Sequence, residues 1–177
     1  MDLSSGSAET GVRVELYVRS LAPRESRRTV ERVVERLDRL ADDGAIAGFR
    51  VVPTGAELPP TPADAVTEFG EYLLHRIAVF DEWARVTDRS LGALFDRRAV
   101  TSAFTGEDHD AIHMPTMVMA EYAGTALRFV SPCTEDGERV TIRDRLDALD
   151  RQEVVDERAQ LSGAGVRPPP GPTTPVE

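Results

Sequence analysis

The sequence predicts one α/β domain: a mixed sheet with helices on both of its faces. Segments with the two-residue period of a strand alternate with segments of helical period in the first half of the chain, and a strand-turn-strand pattern follows in the second half. The chain has 177 residues, 41% of them hydrophobic, which is enough for one hydrophobic core. The predicted order is β-α-β-α-β-β-α, which gives a parallel strand pair through a crossover and an antiparallel hairpin in the same sheet.

The first third of the chain predicts a strand, a helix and a second strand. Residues 12–19 (VRVELYVR) begin with alternating apolar and polar side chains and are rich in β-branched residues, and Pro23 follows them. Ser26 fits a helix start, and Asp42-Asp43-Gly44 fits its end. The apolar stripe of this helix consists of Val30, Val33, Val34, Leu37, Leu40 and Ala41. Residues 46–52 (IAGFRVV) then predict the second strand.

The middle of the chain predicts a long helix. Thr61 fits the N-cap position, Pro62 the first helical position and Asp64 the third. We expect this helix to continue to about Asp88. Its apolar stripe consists of Val66, Phe69, Leu73, Ile77, Phe80 and Ala84.

A hairpin is predicted after an irregular link. Residues 89–113 have no sustained period and predict irregular structure with one short strand at 99–104. Residues 116–122 and 126–130 are both strand-like, and the intervening Ala-Gly-Thr predicts a turn between them.

The end of the chain predicts one more helix and a tail. Thr141 and Asp144 resemble a capping box and open a helix that is expected to run to about Arg158. The following segment contains a Pro-Pro-Pro run and further prolines, which favours disorder. The predicted boundaries are a disordered head at 1–11, the α/β domain at 12–158 and a Pro-rich disordered tail at 159–177.

The charge of the chain predicts its solvent environment. It has 31 acidic and 21 basic residues, a formal net charge of -10, and every basic residue is Arg. At about 1 M salt the Debye length is near 3 Å, so an acidic surface no longer repels itself. An acidic protein without Lys is therefore what we expect in the cytoplasm of a halophilic archaeon. The alternative is an acidic protein from a mesophile with a GC-rich genome.

Several classes of protein are not indicated by the sequence. No apolar run approaches the roughly 18 residues of a membrane span, and the first residues do not have the layout of a signal peptide. One Cys excludes an intrachain disulfide and a Cys-rich zinc module. The chain has no Gly-rich phosphate loop, no G-x-S-x-G and no H-E-x-x-H. We therefore expect a non-catalytic protein without cofactor or metal.

The predicted element order resembles that of thioredoxin-like folds. Met114-Pro115-Thr116 precedes the first hairpin strand and is similar to the apolar-Pro-Thr junction of thioredoxins. The resemblance implies that Pro115 and Thr116 are structural residues, that the Met114–Pro115 bond is cis and that it lies beside the start of the first helix. Residues 20–26 do not contain the Cys-x-x-Cys of that family, so the scaffold is expected to be redox-silent.

A second resemblance covers residues 12–152. It rests on four segments: 14–23 (VELYVRSLAP), 104–107 (FTGE), 114–116 (MPT) and 130–133 (VSPC). These segments are similar to a family of small haloarchaeal proteins that are usually called helix-turn-helix domain proteins. The resemblance implies DNA binding and regulation of transcription.

The first predicted helix contains the candidate residues for nucleic-acid binding. They are six arginines: Arg24, Arg27, Arg28, Arg32, Arg36 and Arg39. A guanidinium fork suits phosphate geometry, and the spacing of these residues is helical. The same segment contains six acids, Glu25, Glu31, Glu35, Asp38, Asp42 and Asp43. The alternative is therefore a solvated face on which arginines and acids pair four residues apart.

Two further features could have a chemical role. Asp108, His109, Asp110 and His113 could form a metal cluster, and the alternative is a polar loop. Cys133 could be a nucleophile, and the alternative is a buried, inert thiol. In both cases we favour the alternative.

Two functions remain open from the sequence. The first is a regulatory protein that binds DNA through the arginines of the first helix. The second is an adaptor that binds another protein on a redox-silent thioredoxin-like scaffold. Solvent-facing arginines without acidic partners would favour DNA, and arginines paired with Glu and Asp would favour the adaptor.

Overall fold

A four-stranded mixed sheet with helices on both faces forms the centre of the domain. The computed structural model describes residues 11–20, 24–101 and 108–151. In chain order its strands are β1 (Val12–Arg19), β2 (Gly48–Thr54), β3 (Glu57–Leu58), β4 (Arg89–Ser90), β5 (Arg97–Thr101), β6 (Asp108–His113), β7 (Met117–Ala123), β8 (Ala126–Ser131), β9 (Cys133–Glu135) and β10 (Glu138–Val140). The helices are α1 (Arg24–Asp42), α2 (Glu68–Val86) and α3 (142–151). The predicted α/β class is confirmed.

The central sheet has the strand order β2-β1-β7-β8. β1 is parallel to β2, with Leu16 opposite Val51, because α1 carries the chain back across the sheet. β1 is antiparallel to β7, with Leu16 opposite Met119, and β7 and β8 form the predicted hairpin. The predicted pairing of the hairpin with the first strand is therefore confirmed.

The alternation of side chains in β1 divides the core into two halves. Val14 and Leu16 face the side covered by α1 and α3, and Tyr17 faces α2. The α1/α3 half contains Val33, Leu37, Leu40, Ile46, Met119, Ile142, Leu146 and Leu149. The α2 half contains Leu73, Leu74, Ile77, Phe80, Trp83 and Ala84 among others. Each helix thus buries one apolar stripe and leaves its opposite face to solvent.

The helix ends explain two differences between prediction and structure. Thr61 begins only a short 3-10 turn over Pro62–Asp64, because its side chain bonds to Asp64 instead of capping a backbone N–H. The N-cap of α2 is Thr67, whose side-chain oxygen accepts from the N–H of Gly70 at 3.0 Å. The predicted start at Thr61 was wrong, and so was the predicted core position of Val66, which precedes the helix and is 98% exposed.

Residues 89–113 were predicted to be irregular apart from a short strand at 99–104. That strand overlaps β5 at residues 99–101, and its residues 102–104 lie outside the described residues, but the irregular structure predicted for the rest of the segment was wrong. The segment contains β4, β5 and β6, and β5 pairs with β6 in an antiparallel ladder from Arg97↔Ile112 to Thr101↔Asp108. A second hairpin, β9–β10, was not predicted either. Its turn contains Asp136 and Gly137, both at positive φ (51° and 81°), as a two-residue hairpin turn requires. An Asp-Gly pair was the available sequence signal.

The start of α3 agrees with the capping-box prediction. The N–H of Thr141 donates to a carboxylate oxygen of Asp144 at 2.8 Å, and the N–H of Asp144 donates to the Thr141 hydroxyl at 3.3 Å. The predicted head and tail lie almost entirely outside the described residues, so their boundaries stay predictions. No helix in the described ranges is long and apolar enough to cross a membrane.

The predicted cis bond at Met114–Pro115 was wrong. The cis bond of the described chain is Ser131–Pro132. The segment before β7 is held on both sides by backbone hydrogen bonds: Met114 N–H donates to the Ala56 carbonyl at 2.9 Å, and Arg19 N–H donates to the Thr116 carbonyl at 3.0 Å. The first bond extends the pairing of β3 with β6, the second extends the pairing of β1 with β7, and the Met114–Pro115 bond between them is trans.

Candidate nucleic-acid interface

A groove of about 500 Å³ lies between α1 and α3. Its lining residues are Thr29, Arg32, Val33, Glu35, Arg36, Arg39, Arg143 and Leu146. The helical spacing of Arg32, Arg36 and Arg39 places them on one face of α1, and Arg143 comes from the first turn of α3. Val33 and Leu146 belong to the core beneath the groove, which fixes the two helices against each other.

The groove is locally basic in a chain of net charge -10. Four of its lining residues are arginines and one, Glu35, is an acid. A concave surface lined by one sign of charge concentrates counter-ions of the opposite sign. The groove is therefore a candidate site for an anionic ligand.

The arginines predicted on α1 fall into two groups. Arg28 and Arg32 are exposed, and neither makes an ion pair with an acid of the described residues. Arg27 and Arg39 are exposed too, and the Nε of Arg39 donates to the Glu35 carbonyl of its own helix at 3.3 Å. The side chain of Arg24 lies outside the described residues.

Arg36 differs from these residues because it forms ion pairs with two acids of α3. Its guanidinium lies 2.5 Å from a carboxylate oxygen of Asp147 and also contacts Asp150. Burial by itself would lower the pKa of Arg36, but the hydrogen bonds to Asp150 and Asp147 raise it. Arg36 is thus paired with acids, as the alternative to nucleic-acid binding expects, but these acids lie on α3 and not four residues away on α1. Sequence reasoning missed these partners and Arg143 because they lie on α3, more than a hundred residues away.

On the opposite side of the sheet, arginines surround a buried carboxylate. Glu15 in β1 is 3% exposed and accepts hydrogen bonds from Tyr17 (2.6 Å), Arg50 (2.7 Å) and Arg76 (3.0 Å). Burial would raise the pKa of Glu15, but the bond from Tyr17 and the charges of Arg76 and Arg50 lower it. Burial, and then the charge of Glu15, raise the pKa of Tyr122 to about 12. The hydrogen bonds from Tyr17, Arg50 and Arg76 thus compensate the buried negative charge of Glu15.

A second buried carboxylate ties α3 to β7. Glu121 is 2% exposed and accepts two hydrogen bonds from Arg145, at 2.8 and 2.7 Å. The Arg145 guanidinium also lies 3.9 Å from the ring centroid of Phe129, as in a cation–π contact. The bonds to Glu121 raise the pKa of Arg145. Two-point pairing fixes the orientation of α3 and so the shape of the groove.

The His and Asp cluster does not come together as a metal site in the part of the chain that the structure describes. His113 contacts the guanidinium of Arg19 at 3.3 Å and lies 4.0 Å from Glu57. The side chain of Asp110 is exposed, and those of Asp108 and His109 lie outside the described residues. Among described residues, no three His, Cys, Asp or Glu side chains form a metal-binding group.

Cys133 lies at the floor of a separate cleft. It is 4% exposed and lines a cavity of about 310 Å³, together with the 90–94 segment, Pro132, Thr134 and Arg139. Burial raises the pKa of its thiol, which keeps the thiol protonated at neutral pH. No His is among the described residues that line the cavity and could act as a base. The position is that of a buried thiol.

Pro115 and Thr116 have a structural position, although not the cis geometry. Both are half-buried between β6 and β7, and the Thr116 carbonyl accepts from the N–H of Arg19 at the end of β1. They therefore help to join the 108–113 strand to the central sheet.

The fold and the groove define an α/β protein with a basic surface between two helices on one face of its sheet. The sequence matches the helix-turn-helix domain family over residues 6–154, and the chain belongs to that family. No curated protein matches the chain.

The described helices do not form the compact pair that the family name describes. A helix-turn-helix joins its two helices by three or four residues. Here residues 43–67 separate α1 from α2 and include β2 and β3, and β4 to β10 separate α2 from α3. In the described ranges, the neighbouring helices on one face of the sheet are α1 and α3, which come from opposite ends of the domain.

Proposed function

We propose that this protein is a transcription-associated regulator that binds DNA through the groove between α1 and α3. The observation that carries the proposal is the pair Arg28 and Arg32, two exposed guanidinium groups of α1 without acidic partners among the described residues. Arg32 lines the groove, and Arg28 lies one helical turn before it on α1. Membership of the helix-turn-helix domain family supports a DNA-binding role.

The chemistry of the groove favours the phosphate backbone over base edges. Guanidinium groups pair with phosphate oxygens through two parallel hydrogen bonds, and phosphate contacts position a protein without reading sequence. Arg32, Arg39 and Arg143 line the groove from two helices. We therefore expect binding to duplex DNA with little dependence on sequence at these contacts.

The overall charge of -10 opposes DNA binding at low salt. At about 1 M salt, however, charges separated by more than about 3 Å are largely screened. Direct ion pairs in the groove then matter more than the field of the whole surface. The proposal thus includes a halophilic archaeal cytoplasm as the working environment.

The scaffold in this proposal is thioredoxin-like and non-catalytic. The strand order β2-β1-β7-β8, with one parallel and two antiparallel pairs, supports the likeness. The trans bond at Met114–Pro115 and the absence of a Cys-x-x-Cys count against a shared chemistry. A regulator needs only the shape of this scaffold.

One observation favours the second candidate function, a protein-binding adaptor. Three apolar side chains of α2 face solvent: Phe69 is 46% exposed, Val79 is 44% exposed and Val86 is 62% exposed. Exposed apolar residues at helical spacing fit a protein partner. This surface lies on the helix of the opposite side of the sheet, so an adaptor would use a different face from DNA.

Binding of the full-length protein to a mixed-sequence DNA duplex tests the proposal. Fluorescence anisotropy over a KCl series should show that log Kd increases linearly with log[KCl], because the release of cations from the DNA phosphates drives association. A protein that binds no duplex at the lowest KCl concentration at which it stays folded would overturn the DNA proposal. A partner that co-purifies and is lost in Phe69→Ser/Val79→Ser would then favour the adaptor.

A further inference from the structure

Asp147 and Asp150 hold Arg36 in an arrangement that a phosphate group could also provide. Both acids lie on α3, and each places one carboxylate oxygen against the guanidinium of Arg36. A phosphodiester presents two anionic oxygens to an arginine fork in the same way. Arg36 lines the groove beside Arg32 and Arg39.

The exposure of the three side chains shows that this contact is accessible. The Arg36 side chain is 25% exposed, and those of Asp147 and Asp150 are 39% and 47% exposed. Ion pairs as accessible as these contribute little to stability. The contrast is Glu121 with Arg145, where the carboxylate is 3% exposed and the pair belongs to the core. A phosphate could therefore reach Arg36 without opening the core.

We propose that Asp147 and Asp150 are an internal phosphate mimic: they occupy Arg36 in the free protein, and a DNA phosphate displaces them. The inference rests on the proposed DNA binding. Displacement makes the contact with Arg36 conditional, because each DNA phosphate must compete with two carboxylates of the same protein. The acids thereby lower the affinity for DNA and raise the DNA concentration at which the groove is filled.

The test compares the full-length parent with Asp147→Asn/Asp150→Asn, using anisotropy of a labelled mixed-sequence duplex over a KCl series. The Asn variant keeps the side-chain shape and frees the guanidinium. It should bind more tightly because the phosphate no longer has to displace two carboxylates from Arg36, and the slope of log Kd against log[KCl] should stay close to that of the parent because both complexes contain the same phosphate contacts. Unchanged affinity in the variant, with a parent that binds DNA, would overturn the inference and leave the proposed function standing.

Removal of two negative charges could raise affinity through the overall field alone, and two controls separate this effect. Glu71→Gln/Glu138→Gln removes the same charge from exposed positions outside the groove. The triple variant Arg36→Gln/Asp147→Asn/Asp150→Asn removes the freed guanidinium. The inference predicts that the first control changes the affinity much less than Asp147→Asn/Asp150→Asn does and that the triple variant loses the gain. A gain that persists without Arg36, or that the first control reproduces, would overturn it.

Two checks keep the test decisive. Thermal unfolding of each variant identifies any loss of structure, and the single variants Asp147→Asn and Asp150→Asn replace the double variant if it unfolds. Each single variant should give part of the gain, because each carboxylate contacts Arg36 independently. A parent that binds no DNA would overturn both the proposed function and this inference.

Discussion

The arginines around Glu15, on the α2 side of the central sheet, and the arginines on the outer face of α1 have different surroundings. On the α2 side, Arg50 and Arg76 bond to Glu15, a carboxylate that is 3% exposed. On the α1/α3 side, Arg28 and Arg32 are exposed and have no ion pair with a described acid. Arg36 is intermediate, since its acidic partners are themselves half exposed.

The difference separates arginines that hold the fold from arginines that are available to a ligand. A buried carboxylate that loses its partners leaves an uncompensated charge in a poorly hydrated site, which is costly. An exposed guanidinium that loses a neighbour is simply hydrated. Substitutions on the α2 side should therefore change stability, and substitutions in the groove should change binding.

The largest expected effect is that of Glu15→Ala. It leaves Arg76 and the Tyr17 hydroxyl without their buried acceptor, so we expect a loss of about 3–5 kcal/mol in the free energy of unfolding. Urea unfolding measures it, with Arg28→Ala as the exposed control at under about 1 kcal/mol. A loss below about 1 kcal/mol in Glu15→Ala would show that the cluster is not structural.

The difference in unfolding free energy between the parent and Glu15→Ala should depend on pH in a defined direction. The pKa of Glu15 is lowered from its ordinary value of 4.5, so its contribution is complete above that pH. The contribution is lost as the pH falls through the lowered pKa of the folded state. The unfolding free energies of the parent and Glu15→Ala should therefore converge in acid.

Salt concentration should have the next largest effect on stability, because salt screens the repulsion between acidic side chains on the surface. Self-repulsion among excess acids extends over about 30 Å at 0.01 M ionic strength and over about 3 Å at 1 M. We expect the melting midpoint to rise from 0.1 to 3 M KCl by an amount of order 5 °C, about 2 kcal/mol for a domain of this size. Circular dichroism checks it, and an unchanged midpoint would contradict the halophilic interpretation.

The sequence predicted the elements whose signals are local and strong. The alternation in residues 12–19 and the apolar spacing of Val33, Leu37 and Leu40 are visible without any tertiary information, and the structure confirms both elements. The prediction of the start of α2 was wrong because Thr61 and Thr67 both precede acidic residues in a pattern typical of an N-cap. The choice between them depends on which threonine side chain is free to accept a backbone N–H.

The candidate site was only half predictable. The arginines of α1 follow from their spacing, but the groove requires α3 to lie beside α1. That contact depends on long-range packing of Leu37 and Leu40 with Leu146 and Leu149. Nothing local to residues 24–42 could show that Arg36 meets Asp147.

Cys133→Ser should have a small effect on stability and none on binding. Replacement of a buried thiol by a hydroxyl costs about 1–2 kcal/mol unless the hydroxyl finds a partner. Cys133 lies in the cleft beside β4 and β9, away from the α1/α3 groove. The DNA anisotropy and melting curves of the variant test this, and a selective loss of binding with an unchanged midpoint would make the thiol functional.

The most direct test of the distinction between structural arginines and DNA-binding arginines uses the variant Arg28→Gln/Arg32→Gln. The quantity measured is the slope of log Kd for DNA against log[KCl]. The matched control is Arg85→Gln/Arg98→Gln, which removes two arginines that are 71% and 65% exposed outside the groove. We predict that the groove variant binds more weakly on every duplex, with a slope shallower by about 1.8, and that its unfolding free energy changes by under about 1 kcal/mol. The control should keep nearly the slope of the parent. Equal slopes in the groove variant and the control would contradict the assignment of the α1/α3 groove to DNA.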